Sequence, residues 1–157
     1  MSKKILYLFL ALLLPALIFV FLKYFGKNEF DIPVYYQNGV TESDNECHVA
    51  LSGQYFVPDS VLAKWNWRDA SVLVSFAVEK ENKELQQRLT EAKIEDLLVI
   101  HLNESDRKMK ECVLLMKEPW DAVLIDSQRR IRGYYKLGNR DEMDRLDVEL
   151  KILLKKY

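Results

Sequence analysis

Between Ile5 and Leu22 the chain carries no charged residue, and this run, set behind Lys3 and Lys4, constrains the fold more than any other feature. A helix rises about 1.5 Å per residue, so the run reaches about 27 Å, close to the hydrocarbon thickness of a bilayer. It therefore reads as a transmembrane helix. Pro15 would break a helix in water, whereas a membrane helix tolerates proline when neighbouring groups re-satisfy the freed carbonyl. A cleaved signal peptide is the competing reading. The run is long for one, and Leu22, Lys23, Tyr24 and Phe25 stand where a small-residue cleavage site would lie. No cysteine follows closely, so a lipoprotein site is absent too. Lys3, Lys4 and the terminal amine face Lys23 and Lys27 across the run, which favours the N-terminus inside. The expected location is the cytoplasmic membrane, single-pass, with everything after the anchor on its outer, periplasmic face.

What remains after the anchor suffices for one domain and is short for two cores. The sequence divides into an anchor (1–26), an irregular extension packed on the domain (27–70) and a core (71–157). Lys and Arg number 23 against 24 Asp and Glu, a net charge of −1, which lacks the excess a nucleic-acid binder carries. The two cysteines, Cys47 and Cys112, have neither C-x-x-C nor zinc-type spacing. In an oxidising compartment they can form one disulfide; otherwise Cys112 reads as a small buried apolar residue and Cys47 as a surface thiol.

The extension is irregular. Ile32–Tyr36, Tyr55–Pro58 and Trp65–Trp67 read as short edge strands and loops bounded by prolines, with the aromatics forming a satellite core over the main sheet. After Ala70 the pattern becomes regular. Ser71–Val78 is a β-branched, mainly apolar run, as for a strand covered on both faces. Leu85, Leu89 and Ala92 recur at helical spacing within Asn82–Ala92. Leu97–Leu102 repeats the buried-strand signature, giving a strand–helix–strand unit with parallel strands and a right-handed crossover. A second helix, Ser105–Met116, stops before Glu118-Pro119. Ala122–Ile125 and Ile131–Tyr135, separated by Asp126–Arg130, suit an antiparallel hairpin. A terminal helix starts at Asn139, with Glu142 placed for a capping box and Met143, Leu146, Leu150 and Leu153 as its apolar face.

Strand, helix, strand, helix, hairpin and terminal helix in this order resemble the thioredoxin arrangement, an α/β fold with a central mixed sheet flanked by helices. Pro119 falls where that fold usually keeps a cis-proline. The wording narrows the resemblance: Val72-Leu73-Val74-Ser75-Phe76 resembles the first core strand of the Sco/SenC proteins, which are membrane-anchored copper chaperones. Val123–Asp126 with Arg130–Tyr135 is similar to their hairpin. The resemblance covers Ser71 to the C-terminus and implies a role in respiratory oxidase (cytochrome c oxidase) biogenesis. Members hold copper with a C-x-x-x-C pair after that first strand and a later histidine, because soft sulfur selects Cu(I) and imidazole suits both copper states. Here Ala77–Asn82 stands in place of the cysteine pair, and Trp120-Asp121 follows Pro119 where the histidine would come. No family ligand carries over, and a dithiol reductase would lack its thiolate and resolving partner.

The first expectation is therefore a non-catalytic binding or assembly factor without a cofactor, acting on another membrane or periplasmic protein. A copper chaperone or thiol reductase using Cys47, His48 and Cys112 is the alternative. A third reading is a structural accessory subunit of a membrane complex, with Tyr35, Tyr36, Trp65 and Trp67 at its interface. His101 reads as a hydrogen-bonded core histidine. Asp141, Glu142 and Asp144 read as a solvated helix face. Arg129, Arg130, Arg132, Lys136 and Arg140 read as polar turn residues, with docking of an acidic partner or anionic lipid as the functional alternative. No Gly-rich phosphate loop, H-E-x-x-H or G-x-S-x-G occurs.

Overall fold

The computed structural model describes residues 3–25, 31–42, 47, 50–103 and 106–154; in the N-terminal helix, side chains are described at Lys4, Tyr7, Ala11, 13–21 and Lys23. The chain divides into two units, Met1–Phe30 and Asp31–Tyr157. The first is α1 (Lys3–Phe25), with Pro15 inside it. Every side chain from Leu13 to Phe21 is exposed. Counted on the described residues, no helix is long and apolar enough to cross a membrane.

In the second unit, a four-stranded sheet runs in the order β4 (Leu97–His101), β3 (Ser71–Ser75), β5 (Ala122–Ile125), β6 (Ile131–Tyr135). β3 pairs parallel to β4 and antiparallel to β5, and β5 pairs antiparallel to β6. Because side chains alternate across a strand, the central pair feeds two cores. Leu73 and Leu124 point to one face, where Leu85 and Leu89 of α3 (Glu79–Glu91) and Met143, Leu146 and Leu150 of α4 (Arg140–Leu153) cover them. Val72, Val74, Val123 and Ile125 point to the other, where no long helix lies. Its cover is the extension, through Tyr55, Val57, Val61 and Leu62, together with Leu114–Met116. Leu62 is fully buried, which stabilises by about 1.5–3 kcal/mol for a side chain of its size.

The extension differs from the expected strands. Among its described residues only two-residue strands form, β1 (Gly39–Val40) and β2 (Leu51–Ser52), as a small antiparallel pair. Pro33 brings no N–H, and Tyr36 adopts φ 55°, so the chain turns where a strand would have continued. Gly39, at φ +105°, lies so close to the Leu51 carbonyl that a Cβ would collide with it. The Tyr55 and Val57 amides bond Tyr36 and Arg129 carbonyls, and a single-turn α2 (Asp59–Leu62) runs into a 3₁₀ turn (Ala63–Trp65). Tyr36, Trp65 and Trp67 are half-buried against the core, in line with the satellite-core reading.

Three further expectations are corrected. β3 ends at Ser75, because Phe76–Val78 forms the turn into α3, which starts at Glu79 rather than Asn82. β4 is an edge strand with half-buried residues, and His101 at its end is exposed instead of lying in the core. The second helix is short and widens into a π-helical turn, Met109–Val113. There the amide of Leu114 bonds the carbonyl five residues back, at Met109. The hairpin strands and α4 fall where the pattern placed them. Asn139 caps the amides of Asp141 and Glu142, while the Glu142 side chain turns to Arg145 and leaves the capping box half made.

Register gives one residue on β6 no partner: Leu124 faces Gly133 and Ile125 faces Ile131, so Arg132 forms a β-bulge. Its buried guanidinium bonds Asp31 (2.6 Å), the Ile32 carbonyl (2.6 Å) and buried Asp126 (3.3 Å), joining the start of the extension to the hairpin. A lysine ammonium has three donors but on one nitrogen, and cannot reproduce the fork in which one guanidinium nitrogen meets Asp126 and another meets Asp31 and Ile32. Arg132→Lys should therefore lower unfolding free energy by about 2–4 kcal/mol, read from urea unfolding; an unchanged midpoint would show that the guanidinium is dispensable.

Candidate functional site

Three segments converge at the carboxyl end of β3. The turn Phe76–Val78 is held by Asn82. Ser75 Oγ donates to Asn82 Oδ1 (2.6 Å) and accepts from the Ala77 amide (3.2 Å), and Asn82 Nδ2 donates to the Ala77 carbonyl (2.9 Å). The second segment enters β5 through a cis Glu118-Pro119 bond, after which the Phe76 amide bonds the Asp121 carbonyl (2.7 Å). The third is Lys136 at the end of β6. Between them lies a cleft of about 130 Å³, walled by Phe76, Val78 and Trp120. Val78, an apolar residue, is 62% exposed there.

The cleft also holds five charged groups: Glu81, Lys110, Glu118, Asp121 and Lys136. Lys110 is buried, its side chain 9% exposed, and its ammonium meets Glu118 (2.7 Å), whose side chain is 79% exposed. Asp121 shows the reverse pattern. Its carboxylate is 8% exposed, accepts from the Leu137 amide through Oδ1 (2.8 Å) and meets the half-exposed Lys136 through Oδ2 (2.7 Å). The Lys110 ammonium hydrogen-bonds Glu118 and holds its carboxyl below the usual range. The Asp121 carboxylate holds Lys136 above the usual lysine range. Among the described residues that line the cleft, none is a thiol, a hydroxyl nucleophile or an imidazole.

Cys47 and Cys112 are joined to each other in a disulfide, Cα–Cα 5.5 Å, tying the extension to the π-helical turn. Closing a loop of sequence separation 65 contributes about 4 kcal/mol by restricting the unfolded chain. Around the turn, three tyrosine hydroxyls donate to successive carbonyls: Tyr55 to Val113 (2.6 Å), Tyr134 to Leu114 (2.8 Å) and Tyr36 to Leu115 (3.3 Å). They satisfy carbonyls that the widened helix end leaves without amides. Burial pushes the Tyr55 hydroxyl up to about 12 and Tyr134 further. His48 lies outside the described residues. Among the described residues no group of three His, Cys, Asp or Glu side chains is arranged to hold a metal ion.

The basic hairpin residues are neutralised in place. Arg129 pairs with Asp59, Arg130 and Arg132 with Asp126, and Lys136 with Asp121, while Arg140 is exposed. On α4, Asp144 pairs with Arg88 and Asp141 is exposed. Of the aromatic set weighed as an interface, Tyr35 alone is exposed. Sequence reasoning missed the cleft charges. Lys110 lies in the segment expected as the second helix and Asp121 follows Pro119, and only the fold buries them. Compared with known proteins, the chain matches no family model, no curated protein and no solved structure.

The two shifts have opposite signs. Glu118 has a lowered folded pKa, so its contribution is present above the ordinary carboxylate range and is lost as pH falls through the folded value. Lys136 has a raised one, so its contribution is present below the ordinary lysine value of 10.5 and is lost as pH rises through the folded value. Stability measured against pH should lose part of its acid limb in Glu118→Gln and part of its alkaline limb in Lys136→Met. Parallel curves for wild type and either variant would mean that the pairs do not form in solution.

Proposed function

We propose that the protein is a membrane-anchored, thioredoxin-like binding or assembly factor that holds a partner protein at the cleft beside Pro119 and performs no thiol or copper chemistry there. The observation that carries this reading is the content of the cleft. At the turn from β3 to α3, where a catalytic or copper-binding cysteine pair would stand, Ala77, Val78 and Glu79 stand instead, and both cysteines are consumed in a bond with each other. What remains is an apolar wall of buried Phe76, half-buried Trp120 and exposed Val78 beside paired charges, which suits contact rather than reaction.

Support for a thioredoxin-like fold comes from the sheet order β4-β3-β5-β6, the single parallel pair bridged by α3, and the hairpin followed by α4. Support for an address outside the cytoplasm comes from the uncharged run within α1 and from the disulfide, a bond that persists in oxidising compartments. The Sco/SenC-like wording of β3 and the hairpin makes respiratory oxidase biogenesis the proposed context and an oxidase subunit or assembly intermediate the proposed partner. One observation favours a second reading. Cys47 and Cys112 are neighbours in space, so reduction would release two thiolates close enough to share one Cu(I).

The test is site-specific photocrosslinking of the full chain in its own membranes, with the photoreactive residue at Val78 and, as control, at exposed Val148 on α4. An adduct with an oxidase subunit at Val78 and none at Val148 is expected. Equal adducts at both positions, or none at Val78, would remove the cleft as the contact surface.

A further inference from the structure

The charges in the cleft are connected. Lys136 feels Asp121, Glu81 and Glu118, and Glu118 bonds Lys110. Three carboxylates share two ammoniums, which leaves the cleft one negative charge in excess. Each deep charge, moreover, is neutralised by an outer one that solvent reaches: Lys136 is 44% exposed and Glu118 79% exposed. Asp121 Oδ2 is buried and, among the described residues, accepts no well-formed hydrogen bond; its counter-ion is this outer lysine, at 2.7 Å. A flexible, solvated side chain gives up an ion pair at little cost, because its charge returns to water and it regains rotamer freedom. A deep carboxylate keeps its demand for a cation.

Resting on the reading of this cleft as a protein-binding site, we infer that it receives a basic side chain, lysine or arginine, from the partner. The incoming cation takes the place of the Lys136 ammonium on Asp121, with Glu81 as its second carboxylate. Trp120 and Val78 cover its aliphatic stem, as apolar surface covers the methylenes of a long cationic side chain. The occupant is a cation because the net charge of the set is negative before it arrives. An acidic side chain would instead have to displace Glu118 from Lys110 while adding to the excess. His101 and the open groove between β4 and α3 play no part, since that groove holds no buried charge lacking a fixed counter-ion.

The experiment labels the full chain with 5-fluorotryptophan in lipid nanodiscs and follows the Trp120 resonance, with Trp65 and Trp67 as internal fold reporters. The probes are N-acetyl-arginine amide, its neutral isostere N-acetyl-citrulline amide, and N-acetyl-glutamate amide. Expected is a saturable shift of Trp120 with the arginine probe alone. Asp121→Asn, which retains the acceptor for the Leu137 amide, should weaken it about tenfold, the factor for one charge-assisted hydrogen bond. Glu81→Gln should weaken it as well and guards against misfolding of the first variant. An equal response to citrulline, a response only to glutamate, an undiminished response in both variants, or no response to any probe would each overturn the inference. If the Val78 adduct persists while the arginine response fails, the fault lies with the basic occupant; if the adduct fails too, it lies with the reading beneath it.

Discussion

Everything in the 31–157 unit depends on the pairing of β3 with β5. Val72, Leu73, Val74, Val123 and Leu124 are wholly buried, so this pair has no solvent-facing side and requires a cover on each face. The helices α3 and α4 supply one cover in the ordinary way, with leucines at helical spacing. The other face would be covered only by Leu114–Met116 without the extension, whose described residues have little regular structure to hold it. It is held by other means: the Arg132 bulge at its start, the Cys47–Cys112 bond in its middle, and tyrosine hydroxyls on the carbonyls of the π-helical turn. Gly133 belongs to the same arrangement. A Cβ there would meet the Tyr135 ring at 2.7 Å, so the strand omits a side chain where the next tyrosine on that face must lie.

The same pairing builds the cleft. Because β5 runs antiparallel beside β3, the chain entering β5 passes the point where β3 leaves the sheet, and Asp121 and Trp120 come beside Phe76 and Val78. Burying Asp121 and Lys110 costs solvation that surface pairs of the same composition would retain. Positions near a sheet end can avoid such a cost with polar but uncharged residues. Two deep charges answered by two outer ones are the arrangement on which the proposed contact role rests.

The regular part of this architecture was legible in the sequence and the irregular part was not, for physical reasons. Ala122–Ile125, Ile131–Tyr135 and the helix capped by Asn139 carry period and cap signals that act within a few residues, and they fall where read. β3 was legible as a buried strand and is central, whereas β4 carried the same buried-strand signature and lies at the edge, since that depends on which strand β5 chooses; His101 is exposed for that reason. The aromatics of the extension were legible as core material. Their attachment was not, because Arg132 finds Asp31 a hundred residues away and Tyr55 finds Val113 across the sheet end. The cleft suffered most. Lys110, Glu118, Asp121 and Lys136 look like ordinary surface charges in sequence, and only the cis-proline turn and the π-helical turn bring them together.

The central claim, that this fold works by contact and without thiol or metal chemistry, is most directly tested by an anaerobic Cu(I) titration. The reduced full chain would compete with a chromophoric chelator, beside a Cys47→Ser, Cys112→Ser variant. Wild type and variant should leave the chelator equally loaded. Cysteine-dependent withdrawal of Cu(I) from the chelator would contradict that claim and make Cys47 and Cys112 a copper site.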